Sequence, residues 1–350
     1  MTLMACSTIS YYNQSVMGHL NLMWEKQQIK ERFHDPALTD KERKKLRYIL
    51  DTRSYASREL KLPDNDSYTE IAYINTDYIV WNVNATPEFS LQAVNWCYLI
   101  IGCVSYRGYF NKNDAESFAR TLDIKGLDTT VTGASAYSTL GWFDDPILSN
   151  MLAWKDRSIS GLIFHELAHQ VVYISDNTSF NEAFAKAVEQ IGVLYWLASY
   201  DKSQLKKYFT YLERHHSYRL LLRKTKQSLV TLYNSDENDA TKRAKKAQIF
   251  LVLRNEYQAF KKHWKTNAYD NWFSTELNNA RFVSDSTYYS KLPIFFALFV
   301  ENNGNWNKFY SSVKALGKLD NKQRNKKEIT LAREQITLEI IYEKYIKNRL

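Results

Sequence analysis

Two histidines four residues apart, with a glutamate directly after the first, are the residues of this sequence best suited to chemistry. They lie in the stretch GLIFHELAHQ, as His165, Glu166 and His169. In an α-helix, side chains at positions i and i+4 lie on the same face, so both imidazoles can bind one metal ion. In H-E-x-x-H sequences the glutamate takes a proton from the water that the metal activates. The motif therefore predicts two zinc ligands and a general base on one helix.

A third protein ligand is expected, because catalytic zinc takes three protein ligands and leaves a fourth position for water. Glu182, in the segment SFNEAFAKAVE, is our predicted third ligand, since a helical hairpin can return it to the first helix. A second interpretation is a capping box, with Ser179 as the N-cap of the next helix and Glu182 folding back onto it. Glu189, two turns further along, is the alternative ligand.

Several longer motifs accompany these residues. They are WNVNATPEFSL, WCYLIIGCVSYRGYF and AYSTLGWFDDPIL, upstream of the HELAHQ and FNEAFA segments. With these motifs the chain resembles a bacterial family of predicted aminopeptidases, which are zinc-metallopeptidase-like proteins, from about Cys6 to about Tyr310. The resemblance implies a zincin-type core that binds Zn²⁺ through the two histidines and Glu182, with Glu166 as the base.

Amide hydrolysis also needs a hydrogen-bond donor for the oxyanion that forms when water adds to the carbonyl. Downstream tyrosines supply this donor in related zincins, which favours Tyr288 or Tyr289 as a catalytic residue. A substrate peptide can pair with a sheet edge across the metal. We therefore predict substrate contacts at Tyr137, in the candidate edge strand 136–142, and at Arg107 in the YRGYF motif. Segment 136–142 also fits an ordinary core strand.

Helices and strands alternate in the first half of the chain. Helices are predicted over residues 11–33, 39–60 and 113–126, and strands over residues 69–84, 96–106 and 129–140. From residue 181 onward the pattern is mainly helical, with a helical hairpin over 204–267. The predicted fold class is α+β, mainly helical, with a zincin-like core, a small mixed or antiparallel sheet beside the H-E-x-x-H helix and a helical C-terminal lobe. We expect the core in residues 1–200 and the lobe in residues 201–350.

The chain has 350 residues, a formal net charge of +9 and three cysteines. The basic runs are typical of solvated helix faces, and no nucleic-acid-binding motif accompanies them, so no nucleic-acid partner is expected. Cys97 and Cys103 lie in an apolar stretch and are interpreted as small buried residues, although an oxidising compartment would permit a disulfide. The tetrapeptide LMAC, which ends at Cys6, resembles the end of a bacterial lipoprotein signal without the segments that normally precede it.

Together these features predict a zinc-dependent peptidase that hydrolyses peptide substrates, with aminopeptidase action implied by the resemblance. Its expected location is the periplasmic side of a bacterial cell envelope, with a lipid anchor at Cys6, or the cytoplasm if the match at Cys6 is accidental. No apolar run is long enough to span a bilayer. A second hypothesis is a non-catalytic envelope binding or adaptor protein that retains a zincin frame.

Overall fold

The structure is a computed structural model of the chain, and it describes residues 11, 14–18, 20–98, 102–135, 143–175, 177–286 and 291–347. Helices predominate in these residues and the strands form small sheets, so the predicted α+β, mainly helical fold class is confirmed. Within the same ranges, no helix combines the length and the apolar composition needed to cross a membrane.

The strands in the described part of the chain are short. In chain order they are β1 (Lys26–Gln28), β2 (Glu70–Ala72), β3 (Val80–Pro87), β4 (Trp96–Tyr98), β5 (Gly102–Val104), β6 (Arg107–Tyr109), β7 (Leu127–Ala134) and β8 (Ile147–Leu148). One sheet has the order β1-β2-β8 and is mixed, because β1 is antiparallel and β8 parallel to β2. A second sheet has the order β6-β3-β7, and β4 pairs with β5 in an antiparallel hairpin.

Helices account for most of the remaining described residues. After helical residues at 11, 14–18 and 20–24, they are α1 (Ile29–Arg32), α2 (Asp40–Arg58), α3 (Lys112–Asp123), α4 (Asp156–Val171), α5 (Thr178–Tyr200), α6 (Leu205–Tyr233), α7 (Asp239–Trp264), α8 (Asp270–Phe273), α9 (Asn279–Ser286), α10 (Leu292–Glu301), α11 (Trp306–Lys318), α12 (Asn321–Ala332) and α13 (Leu338–Tyr345). Short 3₁₀ segments cover Ser149–Ala153 and Lys202–Gln204.

Side-chain caps begin two of the longer helices where the sequence indicates a start. At α2, the Thr39 hydroxyl accepts a hydrogen bond from the Glu42 amide at 3.2 Å, and the Glu42 carboxylate accepts one from the Thr39 amide at 3.0 Å. This reciprocal pair is a capping box. At α7, the Asn238 side chain accepts a hydrogen bond from the Thr241 amide at 2.9 Å. The predicted hairpin over 204–267 is confirmed as α6 and α7, which follow each other and share one buried cluster of side chains.

The described residues group into two compact units, each made of segments far apart in the sequence. The first unit comprises residues 1–80, 133–205 and 288–350. Within it, α4 packs most extensively against α5 and also packs against α2, while α10 packs against α5 and α12. The prediction from sequence placed one boundary near residue 200.

The second unit comprises residues 81–132 and 206–287. Its core is a cluster of buried aromatic and aliphatic side chains on α6, α7 and the segment that follows them. The rings of Tyr257 and Phe273 stack there, with their centroids 3.8 Å apart. A buried polar contact joins the two segments of the unit, because Lys246 donates a hydrogen bond to the Asp128 carboxylate at 2.5 Å.

The prediction of one helix over residues 11–33 is wrong at its C-terminal end. The first run of helical residues ends at 24, and β1 separates it from the short helix α1. The strand forms because Lys26 pairs in register with Ala72 of β2, and the Lys26 ammonium bonds Glu70 at 2.6 Å. Ile29 is fully buried directly after it. Pairing with a distant strand thus overrides the local helical periodicity.

The interpretation of Cys97 and Cys103 as buried small residues is also wrong. Both are exposed, and they form a disulfide. Within the predicted strand over 96–106, β4 and β5 pair antiparallel, and their register places Cys97 directly opposite Cys103. Residues opposite each other in an antiparallel pair have close side chains, which brings the two sulfurs together.

Candidate metal centre

The H-E-x-x-H motif lies in the second half of α4, a helix of 16 residues. Ile163, Phe164 and Leu167 on this helix are fully buried. A helix that is apolar around most of its circumference is expected to lie inside a domain. It packs against α5 and α2, as this pattern predicts, so the motif lies in a well-packed part of the first unit.

His165 and His169 lie on one side of α4, as their spacing of four residues predicts. Their Nε2 atoms are 3.2 Å apart. His169 is 5 % exposed, and His165 is only partly accessible. Two imidazole nitrogens at this distance, one helical turn apart, can share a proton or bind one ion.

Asn181 fixes the turn that connects α4 to α5. Its Oδ1 accepts a hydrogen bond from the Ile174 amide, and its Nδ2 donates one to the Ile174 carbonyl, both at 2.8 Å. The side chain is almost completely buried. This two-point contact fastens the first turn of α5 to the segment that leaves α4, and so it holds the next residue, Glu182, beside α4.

The capping-box interpretation of Glu182 is wrong. The N-cap of α5 is Asn177, two residues before the predicted cap, and its side chain accepts a hydrogen bond from the Phe180 amide at 3.3 Å. Ser179 lies inside the helix. Asparagine at the N-cap satisfies an amide of the first turn, so no return of Glu182 to the helix start is needed.

The Glu182 carboxylate faces the two histidines. Its Oε2 is 3.3 Å from Nε2 of His165, and its Oε1 is 3.6 Å from Nε2 of His169. One ligand atom from each of the three residues lies within 4.8 Å of the others, and within the described ranges no second group of this kind occurs. The residues predicted as metal ligands from sequence are thus together in space.

Glu189 contacts the opposite nitrogen of the His165 ring. Its Oε2 is 3.1 Å from Nδ1 of His165, while its Oε1 accepts a hydrogen bond from Lys186 at 2.6 Å. Glu189 therefore contacts His165 on the ring nitrogen that faces away from Glu182 and His169. The alternative prediction from sequence was that Glu189 is the third metal ligand. Such outer carboxylates are typical of histidines that bind metals.

Burial and carboxylates together set the protonation of this cluster. Burial disfavours a charged His165, but hydrogen bonds to Glu182 and Glu189 outweigh it and raise the pKa of His165 to about 10. Burial and the positive His165 lower the pKa of His169 to about 4. Burial opposes ionisation of Glu189, yet Lys186 and His165 lower the pKa of this carboxyl to about 2. A cationic His165 thus lies between two carboxylates, where a metal cation could replace its proton.

The donor set fits zinc. Two imidazole nitrogens and one carboxylate oxygen are a recurring catalytic zinc set, and three protein ligands leave a position for water or substrate. Nδ1 of His169 is buried and has no hydrogen-bond partner in the described part of the chain. His165, in contrast, has its outer nitrogen engaged by Glu189.

Comparison with models of protein families covers most of the chain. The model described as "Putative aminopeptidase" matches residues 10–327, which include α4, α5 and all three clustered residues. The chain belongs to the putative aminopeptidase family. Comparisons with curated proteins and with solved structures return no match. The resemblance found in the sequence is therefore confirmed at the level of the aminopeptidase family.

The other predicted site residues of this aminopeptidase-family chain are not in the cluster. Tyr137, Tyr288 and Tyr289 lie outside the described residues, so their roles stay predictions. Arg107 lies in β6 of the second unit, where its guanidinium is 4.5 Å from the centre of the Phe118 ring. Its predicted substrate contact also stays a prediction.

Sequence reasoning missed Lys186 and Gly161. Lys186 follows Glu182 by four residues and precedes Glu189 by three, so helical spacing already places all three on one face of α5. A lysine in the otherwise mostly apolar stretch AFAKAVEQI was the sequence signal that could have identified Lys186.

Gly161 lies four residues before His165, and a Cβ there would lie 3.3 Å from Cγ of Glu189. The sequence pattern of this aminopeptidase-family chain contains no comparable signal for that contact.

Proposed function

We propose that this chain is a zinc-dependent peptidase and that it acts as an aminopeptidase. The observation that carries the proposal is the convergence of ligand atoms from His165, His169 and Glu182 within 4.8 Å of one another. Membership of the putative aminopeptidase family supports the same class of reaction. The description of the family indicates the reaction, removal of amino-terminal residues, and the three clustered residues could bind the metal ion that such a reaction would use.

In this proposal the two histidines bind the metal through Nε2, and Glu182 binds it through its carboxylate. When bound there, zinc acts as a Lewis acid that activates a water molecule and polarises the carbonyl of the scissile bond. Three protein ligands are typical of catalytic zinc, whereas structural zinc is closed by four. The donor set therefore favours a catalytic role over a purely structural one.

Glu166 is the proposed general base. It follows His165 on α4 and is half-buried, so it shares the helical turn of the ligands without being one of the three clustered residues. A carboxylate in this position can accept a proton from the attacking water and pass it to the leaving amine. Glu189 contacts Nδ1 of His165, the ring nitrogen that faces away from the cluster, and Lys186, so it is not placed to act as the base.

The proposed substrate is a peptide with a free amino terminus, in line with the description of the family. Tyr288 or Tyr289 is proposed to donate a hydrogen bond to the oxyanion, and Tyr137 and Arg107 to contact the substrate. These four roles rest on the sequence motifs and on the resemblance to zincins.

The proposed location is the periplasmic side of a bacterial cell envelope, with Cys6 as the site of a lipid anchor. Cys6 lies outside the described residues, so this part rests on the LMAC tetrapeptide. The disulfide between Cys97 and Cys103 supports an oxidising compartment, since disulfides rarely persist where glutathione keeps thiols reduced.

Metal analysis of the wild type and of Glu182→Ala tests the proposed function. Protein purified without chelator should bind about one zinc ion per chain, and Glu182→Ala should lose most of it, because two histidines alone hold zinc weakly. The zinc-loaded wild type should release amino-terminal residues from short peptides. Copies with an acetylated amino terminus should resist cleavage, because they lack the free amine.

Glu116→Ala is the matched control, because Glu116 lies on α3 in the second unit and its side chain is 40 % exposed. It should bind zinc like the wild type. Wild type that takes up no zinc when the metal is supplied would refute the proposal and favour the non-catalytic binding protein. Cleavage of acetylated peptides at internal bonds would retain the zinc peptidase and refute aminopeptidase action.

A further inference from the structure

Lys186 and Glu189 lie next to the ligand cluster on α5 without belonging to it. We propose that they form a positioning relay, which holds the His165 ring with Nδ1–H toward Glu189 and with the Nε2 lone pair toward the metal. The inference rests on the proposed zinc site. It adds the residues that orient one of its ligands.

The contact between Glu189 and His165 selects one tautomer of the histidine. Glu189 Oε2 lies 3.1 Å from Nδ1. An ionised carboxylate only accepts hydrogen bonds, so the proton must be on Nδ1. A neutral imidazole with its proton on Nδ1 has its lone pair on Nε2, the atom that faces Glu182 and His169. The outer carboxylate thus determines which nitrogen can bind the metal.

Lys186 holds Glu189 in this outer position. Its ammonium donates to Glu189 Oε1 at 2.6 Å from one helical turn away, and both side chains are 18 % exposed. A buried carboxylate without a partner would be costly, and the lysine offsets that cost. With one oxygen bonded to Lys186 and the other to His165, Glu189 is not free to rotate toward the metal and compete with Glu182.

Gly161 makes the space that Glu189 occupies between the two helices. It lies one turn before His165 on the same face of α4. A Cβ at this position would lie 3.3 Å from Cγ and 3.4 Å from Oε1 of Glu189. These contacts are tight, so alanine would have to displace the carboxylate by a few tenths of an ångström. The glycine therefore belongs to the same arrangement.

Zinc titration of Glu189→Ala, Glu189→Gln and Lys186→Met tests the relay. Loss of an outer partner of a zinc ligand typically weakens metal binding about 10- to 100-fold, and we expect this range for Glu189→Ala. Glu189→Gln should lose less, because its amide oxygen can still accept from Nδ1. Lys186→Met should also lose less, because Glu189 keeps its contact with His165. Glu116→Gln, which breaks the exposed pair with Lys112, should bind zinc like the wild type.

Imidazole ¹⁵N spectra of the zinc-loaded proteins report which nitrogen of His165 is protonated and which binds the metal. A general loss of stability would not change this assignment. In the wild type His165 should be protonated at Nδ1 and metal-bound at Nε2, with a slowly exchanging Nδ1 proton. In Glu189→Ala that proton should exchange faster, whereas the control should keep it. Gly161→Ala provides a variant that removes no polar group, and it should weaken zinc binding even if the Glu189 variants fail to fold.

The outcomes separate the relay from the zinc site itself. Binding of zinc by the wild type together with unchanged affinity in Glu189→Ala and Lys186→Met would overturn the relay and leave the proposed function standing. Metal binding through Nδ1 of His165 would do the same. Wild type that binds no zinc would overturn the proposed function, and the relay with it.

Discussion

Each carboxylate near the two histidines has its own partners, and its role follows from them. Glu182 faces both Nε2 atoms, so it is placed to bind an ion that they also bind. Glu189 contacts Nδ1 of His165 and the Lys186 ammonium, so it is placed to orient a proposed ligand. Glu166 shares the turn of the ligands and is half-buried. The proposals thus give metal binding, orientation of a ligand and proton transfer to three different glutamates.

Replacing Glu166 by glutamine should separate proton transfer from metal binding. Glutamine keeps the size of the side chain but is a poor base, so Glu166→Gln should retain zinc and lose about 100- to 10,000-fold in peptide hydrolysis. Metal content and peptidase rate measured on the same preparation check this. Rapid hydrolysis by a fully zinc-loaded Glu166→Gln would contradict the assignment of the base.

The raised pKa of His165 predicts a loss of stability at alkaline pH in protein kept free of metal. In the folded chain this pKa is about 10, above its ordinary value of 6.5, so the folded state binds the proton more tightly. The contribution is fully present below the unfolded pKa and is lost as the pH rises toward the folded pKa. The free energy of unfolding should therefore fall above neutral pH, by at most about 1.4 kcal/mol per pH unit from this group.

Urea unfolding with a chelator, at several values between neutral pH and about pH 9, measures this dependence. His165→Gln removes the titrating group, so its stability should change less over the same interval. An identical slope in the two proteins would contradict the protonation assigned to His165.

At the scale of elements, the hairpin of α4 and α5 brings the three proposed ligands together. The helices pack along each other, and Asn177 and Asn181 define the turn between them. Asn181 bonds both backbone groups of Ile174, whose carbonyl also accepts a hydrogen bond from the Asn177 amide. The register of Glu182 against the histidines therefore depends on a polar contact in the turn as well as on apolar packing.

Asn181→Ala should lower both stability and zinc affinity. Loss of its two hydrogen bonds leaves the Ile174 amide without this partner and leaves the Ile174 carbonyl with only the Asn177 amide, which we expect to cost about 1–3 kcal/mol. Urea unfolding and zinc titration measure the two effects. Asn305→Ala removes the N-cap of α11, so it should also cost stability, about 1 kcal/mol, but leave zinc affinity unchanged. Equal zinc affinity in both variants would show that the turn does not position Glu182.

At the scale of the whole molecule, the candidate metal centre and the positive charge belong to different units. The centre lies in the first unit. Residues 205–264, which span α6, α7 and the loop between them, contain 14 lysines and arginines against five acidic residues, an excess of nine that equals the net charge of the chain. Some of these cations pair with acidic residues of the second unit, such as Lys246 with Asp128. The absence of a nucleic-acid partner stays a prediction.

Zinc should protect the first unit against hydrogen exchange more than the second. A ligand that binds only the folded state stabilises it, and the effect is largest in the segments that hold the ligand. Addition of a chelator should therefore speed amide exchange in α4 and α5, while α6 and α7 serve as the internal control. Mass spectrometry of peptides from both regions measures this. Equal changes in all four helices would contradict a local effect of the metal.

The sequence by itself determined the parts that depend on local spacing. It predicted the face shared by His165 and His169, the start of α2 at Thr39, the hairpin of α6 and α7 and the mainly helical fold class. These features follow from the period of the helix and from caps a few residues away, so neighbouring residues are enough to specify them.

Only the tertiary structure decided which residues from different elements meet. It brings Glu182 to the two histidines, places the Glu189 carboxylate against Nδ1 of His165, and pairs Cys97 with Cys103. Helical spacing left three interpretations open: Glu182 as a helix cap, Glu182 as a metal ligand, or Glu189 as the ligand instead. All three interpretations agree with the same sequence pattern on α5. The choice depends on the turn at Asn181 and on the distance between two packed helices, which local periodicity does not contain.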